Sequence, residues 1–268
     1  MSRFWPRLRN TVSSAPVPVP VAGADALVIA ALCKSFGRPA VDRLDLRIAA
    51  GSFYALLGPN GAGKTTTLRM VAGLLPADSG RIEIFGIDAR CYPLEAKRVT
   101  AWLPDEPMIY DKLTPLEHLA FVAGLWGVDP VKARRETVEL LAILGLADHV
   151  NQRCEGFSRG MKQKVALAGA LIHDPRLIML DEPLTGLDAQ SARQVKDLLA
   201  ARVAAGATIV LTTHILEVAE RLADRIGIIA RGRLVAEGTM SELAQKAGGR
   251  ASLEDVFLEL TREPGLAA

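Results

Sequence analysis

The segment GPNGAGKT, from Gly58 to Thr65, has the spacing of a phosphate-binding loop. The pattern GxxxxGK[ST] lets successive backbone N–H groups turn around phosphate oxygens, and it ends in a lysine and a hydroxyl. The apolar run FYALL precedes this segment, and TTLRMVAGLL follows with helical spacing of its apolar residues. Because the start of that helix adds partial positive charge, the pattern predicts a site for nucleotide phosphates.

The predicted roles within this loop follow from the reach of each group. Lys64 is expected to contact the outer phosphates, and the hydroxyl of Thr65 is expected to hold Mg²⁺. The alternative is a glycine-rich turn before a helix. The residues predicted to bind the phosphates are Gly58, Pro59, Asn60, Gly61, Ala62, Gly63, Lys64, Thr65 and Thr66.

A second segment, LIMLDEPLTGLD, carries two adjacent carboxylates at the end of an apolar, strand-like run. Buried charge is costly unless it is paired. Beside a phosphate loop, the carboxyl end of such a strand meets Mg²⁺ and the γ-phosphate, so Asp181 is predicted to lie by Mg²⁺ and Glu182 to act on the attacking water. Without the phosphate loop, the same pair would be read as acids that end a strand before the turn at Pro183.

The elements that must position these groups alternate along the chain. Strand-like runs include SFYALLG, LIML, ATIVLTT and RIGIIA, and helix-like segments separate several of them. Such alternation predicts a parallel sheet with right-handed crossovers. A mostly helical stretch covers about 106 to 172. Within it, Thr114 to Glu117 has a capping-box pattern that predicts a helix start, and Gly145 predicts a helix end.

Composition excludes several other classes of protein. The 268 residues include 32 basic and 30 acidic side chains, a net charge of +2, so no nucleic-acid partner is expected. Cys33, Cys91 and Cys154 lie far apart and predict neither a disulfide framework nor a zinc site. No apolar run approaches the roughly 18 residues that span a bilayer. Residues 1–26, rich in proline, are expected to form a disordered arm, and a membrane-surface foot around Phe4 and Trp5 is the alternative.

A third segment, FSRGMKQK, starts an apolar-periodic helix with a serine at its N-cap, which is the form of an anion site. With the two preceding motifs, it makes the chain resemble the ATP-binding subunits of ABC transporters over about residues 27 to 240. The segment is similar to the family's LSGGQ signature, which implies binding to the γ-phosphate held by a second subunit. The signature residues are Ser158, Arg159, Gly160 and Met161.

The resemblance implies roles for residues that would otherwise be interpreted as structural. TGLD, which ends at Asp188, is similar to the family's D-loop at the dimer interface. His214 in LTTH matches the switch histidine that contacts the γ-phosphate, and Phe36 in KSFG matches the aromatic residue that stacks on adenine. Alone, such a histidine would more often cap a helix, and such a phenylalanine would more often lie in the core.

Asp105 in WLPDEP departs from the family pattern, which usually has glutamine at this position. The resemblance implies that this residue binds near ATP and links the nucleotide site to the helical subdomain, and thence to the membrane partner. Aspartate is shorter and charged, so it is expected to contact Mg²⁺ or a water bound to it. The alternative is a turn cap between Pro104 and Pro107.

As a whole, the resemblance implies an α/β phosphate-loop NTPase with a mostly parallel core sheet, a small antiparallel β subdomain and a helical subdomain at about 106–165. A short helical tail is expected over 241–268. The implied activity is ATP hydrolysis, with ATP and Mg²⁺, that powers a separately encoded exporter-type permease. ATP is expected to be sandwiched between this chain and a second copy or a paralogue, at the cytoplasmic face of the cell membrane.

Two other enzyme classes share the phosphate loop. A soluble kinase or GTPase would leave the signature and His214 unexplained, and the guanine-specifying NKxD pattern is absent from the sequence. An ABC ATPase of DNA repair needs a long coiled-coil insertion, but only about 90 residues without a heptad run separate Thr66 from Phe157. Ribosomal members generally carry two cassettes, and the sequence shows one. A purely structural protein fits least, since Lys64 and Glu182 are both present.

Overall fold

Two β-sheets and a set of helices make up the residues that the computed structural model describes, 18–246 and 253–261. The strands are β1 (Leu27–Ser35), β2 (Pro39–Ile48), β3 (Phe53–Leu57), β4 (Ser79–Ile84), β5 (Ile87–Asp88), β6 (Thr100–Leu103), β7 (Leu177–Asp181), β8 (Thr208–Thr212), β9 (Arg225–Ala230) and β10 (Arg233–Gly238). The α-helices are α1 (Lys64–Val71), α2 (Pro93–Arg98), α3 (Pro115–Leu125), α4 (Pro130–Ile143), α5 (Arg159–Leu171), α6 (Ala189–Ala204), α7 (Leu216–Leu222), α8 (Met240–Lys246) and α9 (Leu253–Thr261).

The larger sheet has six strands in the order β10-β9-β3-β8-β7-β6. All neighbours pair in parallel except β10, which runs antiparallel to β9. Every residue of β3, β7 and β8 is buried, which explains why these strands are nearly continuous apolar runs in the sequence. The parallel core is therefore confirmed, and it brings the carboxyl ends of β3, β7 and β8 to one edge.

The smaller sheet is antiparallel, with the strand order β2-β1-β4-β5. In β2, Leu44, Leu46 and Ile48 are buried and alternate with exposed Asp45 and Arg47, which is the period-two alternation of a strand with one buried face. The buried face of this sheet shares a hydrophobic core with α1. The antiparallel subdomain is thus packed directly beneath the phosphate-loop helix.

The helical subdomain consists of α3, α4 and the start of α5. The capping box is present as predicted: the Thr114 hydroxyl accepts from the Glu117 N–H at 3.2 Å, and the Glu117 carboxylate accepts from the Thr114 N–H at 2.9 Å. Helix α4 ends at Ile143, and Gly145 follows with φ of 65°, also as predicted. Residues 106–114 form no helix, so the helical part of this region begins only at the capping box.

The sequence pattern does not predict β6, although this strand extends the parallel sheet beyond β7. Its four residues, TAWL, pair in parallel with β7, Trp102 opposite Met179. A run of four residues is too short to show either the period of a strand or that of a helix. The position of β6 matters for the site because the segment of Asp105 follows it directly.

The two ends of the domain differ in part from the predicted boundaries. Residues 1–17, which include Phe4 and Trp5, lie outside the described residues, but ordered structure begins before residue 27. The Val21 N–H donates to the Phe85 carbonyl at 3.0 Å, and Ala26 is fully buried. Toward the other end of the chain, Met240–Lys246 and Leu253–Thr261 form α8 and α9. Within 18–246 and 253–261, no helix is long and apolar enough to cross a membrane.

Candidate nucleotide site

The phosphate loop joins β3 to α1, and two of its glycines are required by close backbone contacts. A Cβ on Gly58 would lie 2.3 Å from the Ile229 carbonyl oxygen, and one on Gly63 would lie 2.4 Å from the Ala40 carbonyl oxygen. Gly63 also has φ of 105°, which L-residues rarely adopt. The fold itself therefore requires glycine at these two positions of the predicted phosphate loop.

The turn between β9 and β10 braces the phosphate loop from outside. The Gly232 N–H donates to the Ala62 carbonyl at 2.9 Å, and the Gly232 carbonyl accepts from the Asp42 N–H at 2.9 Å. A Cβ on Gly232 would lie 2.7 Å from the Ala40 carbonyl oxygen, so only glycine fits between the loop and β2. One residue thus connects the phosphate loop to both sheets.

The ammonium of Lys64 lies inside the loop. Its Nζ donates to the carbonyl oxygens of Gly58 at 2.6 Å and Pro59 at 3.1 Å. Burial lowers the pKa of Lys64 from its ordinary value, while the nearby carboxylates of Glu182 and Asp181 act in the opposite direction. The positive charge of Lys64 therefore lies at the centre of the loop, and the carboxylates of Asp181 and Glu182 lie near it.

Asp181, at the end of β7, contacts the hydroxyls of two neighbouring elements. Its Oδ2 accepts from Thr65 Oγ1 at 2.6 Å, and its Oδ1 accepts from the Thr212 hydroxyl at the end of β8. Asp181 is 3% exposed, so these hydroxyls partly replace its lost hydration. The sequence interpretation named Thr65 and Asp181 but missed Thr212, whose only signal is its place at the end of a neighbouring parallel strand.

Glu182 and His214 form the second polar pair of the site. Glu182 Oε2 lies 2.8 Å from His214 Nδ1, a hydrogen bond whose direction depends on the histidine tautomer. The backbone of Glu182 has φ of 50°, and its N–H donates to the Thr212 carbonyl at 3.1 Å. A left-handed conformation at a non-glycine residue is strained and needs support from its surroundings. The β8 strand supplies that support and aims the carboxylate at His214.

A cavity of about 240 Å³ lies beside the phosphate loop; Lys64, Asp181 and Glu182 line it, whereas His214 does not. The cavity brings together most of the predicted residues of the loop with Asp105 and the two carboxylates of the second motif. The lining residues are Ala40, Asn60, Gly61, Ala62, Gly63, Lys64, Thr65, Thr66, Asp105, Asp181 and Glu182. The arrangement has the donors for phosphate oxygens, a hydroxyl and a carboxylate for a hard cation, and a carboxylate for a water molecule.

Phe36, predicted to stack on adenine, lies on the turn between β1 and β2. Its side chain is 60% exposed, and the Lys34 ammonium lies 5.5 Å from its ring centroid. It does not line the 240 Å³ cavity. An exposed ring on a turn has a free face, which suits stacking better than the core position that is usual for phenylalanine.

The signature segment lies at the start of α5. Ser158 is the N-cap of this helix, and its hydroxyl accepts from the Met161 N–H at 3.2 Å. A Cβ on Gly160 would lie 3.2 Å from the Gly186 carbonyl oxygen, so the signature segment packs against TGLD. None of these residues lines the 240 Å³ cavity that the structure describes beside the phosphate loop.

Asp188, predicted at a dimer interface, caps α6. Its carboxylate accepts from the Ser191 N–H at 2.7 Å and from the Ser191 hydroxyl at 3.0 Å. These hydrogen bonds lower the pKa of Asp188. Lys164 Nζ donates to the same serine hydroxyl at 3.3 Å, which ties α5 to the start of α6.

Asp105 has a partner that the sequence interpretation did not foresee. It lines the cavity with Lys64 and Thr65, and its Oδ1 also accepts from Arg159 Nη2 at 3.2 Å. Arg159 stands in the signature segment, 54 residues further along the chain. The structure therefore joins Asp105, which stands where the family usually has glutamine, to Arg159, which stands where the LSGGQ signature has its first glycine.

The fold and the site together define a phosphate-loop NTPase. The sequence pattern that defines the ABC transporter family matches residues 41–185. The daunorubicin/doxorubicin resistance ATP-binding protein DrrA of Streptomyces peucetius is 42% identical over 212 residues, 79% of this chain and 64% of that protein. The linearmycin resistance ATP-binding protein LnrL of Bacillus subtilis is 35% identical over 229 residues, 85% of this chain and 72% of that protein.

Structural comparison agrees with these matches. A solved structure described as the ATP-binding subunit of an ABC transporter superposes with a TM-score of 0.83 at 33% identity. The alignment covers 88% of this chain and all of the other. The chain belongs to the ABC transporter family, and within it to the ATP-binding subunits, which are ATPases coupled to transport.

Proposed function

We propose that the 240 Å³ cavity binds the phosphates of ATP with Mg²⁺ and that Glu182 directs the hydrolytic water. The observation that carries this proposal is the hydrogen bond between Thr65 and Asp181, because it brings the end of the phosphate loop to the end of β7. Hydroxyl and carboxylate oxygens are the donors that Mg²⁺ accepts beside nucleotide phosphates. When bound, the ion would neutralise charge on the phosphate oxygens.

Each polar group of the site then has a separate task. Lys64 and the loop N–H groups bind phosphate oxygens, and the ammonium exchanges its two carbonyl partners for them. Glu182 accepts a proton from the attacking water or orients it. His214 orients that carboxylate through their 2.8 Å hydrogen bond. It would turn its N–H to the γ-phosphate when ATP binds, since a neutral imidazole has one N–H to donate. Phe36 provides the surface on which the adenine stacks.

The signature segment completes the site from a second subunit. Ser158 and Gly160 lie at the start of α5 and do not line the cavity that contains Lys64. Two copies of the chain, or this chain and a paralogue, would therefore place the signature of each against the ATP of the other. Asp188 then lies at the interface as the cap that fixes TGLD next to the signature.

A second surface fits the membrane permease. An apolar groove of about 480 Å³ lies between the parallel core and the helical subdomain, reached from the side of α3. Most of its rim consists of large hydrophobic side chains left exposed: Leu74, Met108, Tyr110, Phe121, Leu125 and Trp126. Such a patch marks an interaction site, and its concave shape suits a short apolar helix. We assign it to a cytoplasmic segment of the permease, which would hold this chain at the membrane.

The function is tested by trapping the ATP-bound state. Glu182→Gln keeps the size and hydrogen bonding of the side chain but removes the base, so ATP should bind while hydrolysis falls by about 10²–10⁴-fold. The ATPase rate and the mass in solution, with and without Mg²⁺-ATP, are measured on the same protein. Hydrolysis at the wild-type rate would remove the role of Glu182, and a variant that stays monomeric with ATP would contradict the sandwich.

A further inference from the structure

Ion pairs connect the loop after β6 to the first turn of α5. Asp105 accepts from Arg159 at 3.2 Å, and Asp111 accepts from Lys162 at 2.9 Å. Both basic residues belong to the signature helix, one turn apart, and both acids belong to the segment between β6 and the capping box of α3. Each pair therefore joins a carboxylate of the loop to a basic side chain of α5, but only the carboxylate of Asp105 lines the cavity beside the phosphate loop.

The first pair borders the nucleotide site, whereas the second does not. Asp105 lines the 240 Å³ cavity together with Lys64, and it also lines an open cleft with Arg159. The stem of Arg159 lies over TGLD, since a Cβ on Gly186 would be 3.7 Å from Arg159 Cδ. Arg159, a residue of the signature segment, thus contacts both the loop of Asp105 and TGLD. Asp111, in contrast, lines only the cleft.

We propose that Asp105 is a positioning residue that holds Arg159 within its own subunit, and that Arg159 moves from this carboxylate to the γ-phosphate of ATP bound by the partner subunit when the dimer closes. The inference rests on the proposed function, because the phosphate belongs to the second copy. In this reading, the residue beside one nucleotide site controls how readily its signature engages the other site.

The exchange is favourable because the two anions differ. The side chains of Arg159 and Asp105 are 55% and 53% exposed, so water screens their pair and it is readily broken. A terminal phosphate carries more charge than a carboxylate and accepts several N–H donors of a guanidinium. The start of α5 adds partial positive charge at the same place. Arg159 therefore prefers the phosphate when a partner presents one and the carboxylate when none is present.

The proposed exchange predicts opposite shifts in the ATP concentration needed for dimerisation when Asp105 or Arg159 is replaced. Asp105→Asn removes the competing charge, so closed dimers should form at an ATP concentration about two- to fivefold lower, the range set by an exposed ion pair. Arg159→Gln removes the ligand of the phosphate and should shift that concentration upward. Asp105→Glu keeps a carboxylate within reach of Arg159, so it should not lower that ATP concentration as Asp105→Asn does.

The experiment is a double-mutant cycle in full-length protein that carries Glu182→Gln, so that ATP is not consumed. The parent, Asp105→Asn, Arg159→Gln and the double variant are titrated with Mg²⁺-ATP, and dimer mass is measured. The downward shift caused by Asp105→Asn should vanish in the Arg159→Gln background. Asp111→Asn is the matched control, since it breaks the neighbouring pair and should leave the titration unchanged.

Three results for Asp105→Asn would contradict the proposed exchange. A weaker dimer in Asp105→Asn, no shift at all, or a shift that persists without Arg159 would overturn the exchange, and persistence would assign Asp105 to the metal site instead. Melting temperatures of all variants separate these outcomes from misfolding. A parent that never dimerises with ATP contradicts the sandwich, whereas a parent that dimerises without any effect of Asp105 contradicts only the present inference.

Discussion

Thr65 Oγ1 donates a 2.6 Å hydrogen bond to Asp181 Oδ2, although 116 residues separate them along the chain. This contact joins the first turn of α1 to the end of β7, with β8 lying between β3 and β7 in the sheet. The Thr212 hydroxyl at the end of β8 donates to the other oxygen of the same carboxylate. The carboxylate is thus fixed from two sides at the point proposed for the cation.

Removal of the cation should stop hydrolysis. We expect excess EDTA to abolish ATP turnover and added Mg²⁺ to restore it. Asp181→Asn keeps the hydrogen bond to Thr65 possible but removes a charge, so the Mg²⁺ concentration for half-maximal turnover should rise by about tenfold or more. Thr212→Val tests the support from β8 and should raise this Mg²⁺ concentration by a smaller factor. An unchanged Mg²⁺ requirement in Asp181→Asn would place the cation elsewhere.

Lys64→Ala should leave the fold intact and remove the central cation of the loop. ATP affinity should fall, and hydrolysis should decrease by about 10²–10³-fold, as expected when one preorganised donor to developing charge is lost. Equilibrium binding of ATP and steady-state turnover check both effects. Lys132→Ala, at an exposed position of α4, is the matched loss of a lysine and should change neither quantity. Normal turnover in Lys64→Ala would contradict the phosphate-loop assignment.

The two glycines Gly63 and Gly51 separate backbone strain from steric conflict. Both have positive φ, but a Cβ at Gly51 meets nothing within 4 Å, whereas one at Gly63 meets the Ala40 carbonyl oxygen at 2.4 Å. Gly51→Ala should lower the free energy of unfolding by roughly 1–2 kcal/mol and preserve activity. Gly63→Ala should cost more and displace the loop, reducing hydrolysis by about 10²-fold. Equal effects of the two changes would mean that the contact with β2 does not shape the loop.

The apolar groove yields a test of permease docking. Leu125, at the end of α3, is 70% exposed on its rim, and Leu125→Glu places a charge on the surface assigned to the permease helix. Binding should weaken by about 10–100-fold, the value of one buried leucine. Val131→Glu, at the 80% exposed Val131 on α4 and outside the groove, is the matched control. Copurification with detergent-extracted membrane proteins measures the difference, and equal recovery of both variants would exclude this groove.

The groove also contains two histidines whose pKa values are lowered by burial, His118 and His173. A group with a lowered basic pKa binds fewer protons in the folded than in the unfolded state, so stability is complete above the unfolded pKa of about 6.5 and declines as pH falls through the folded value. We expect His118→Leu to reduce this acid sensitivity, by at most about 1.4 kcal/mol per pH unit. Free energies of unfolding at pH 7.5 and 5.5 give the slopes. Identical slopes would show that His118 does not contribute, and the double variant with His173→Leu should reduce the slope further.

The parts of the site that depend on a short sequence pattern can be predicted from the sequence. The phosphate loop, the capping box and the strand that ends in Asp181 each occupy a short segment whose spacing carries its meaning. Parallel pairing then places the strand ends together without further information. The pair of Asp105 and Arg159 was not predictable in this way. It depends on how an irregular loop after the short strand β6 lies against a helix start 54 residues later.

The glycine at the turn between β9 and β10 has a kinetic consequence. Because Gly232 binds both Ala62 and Asp42 through its backbone, the phosphate loop is shaped before any nucleotide arrives. The incoming phosphates meet donors already in place, so little chain ordering opposes their capture. ATP should then bind at the rate expected for a ligand that enters a preformed, rigid site. The slow steps of the ATP cycle should be the association and the separation of the two subunits.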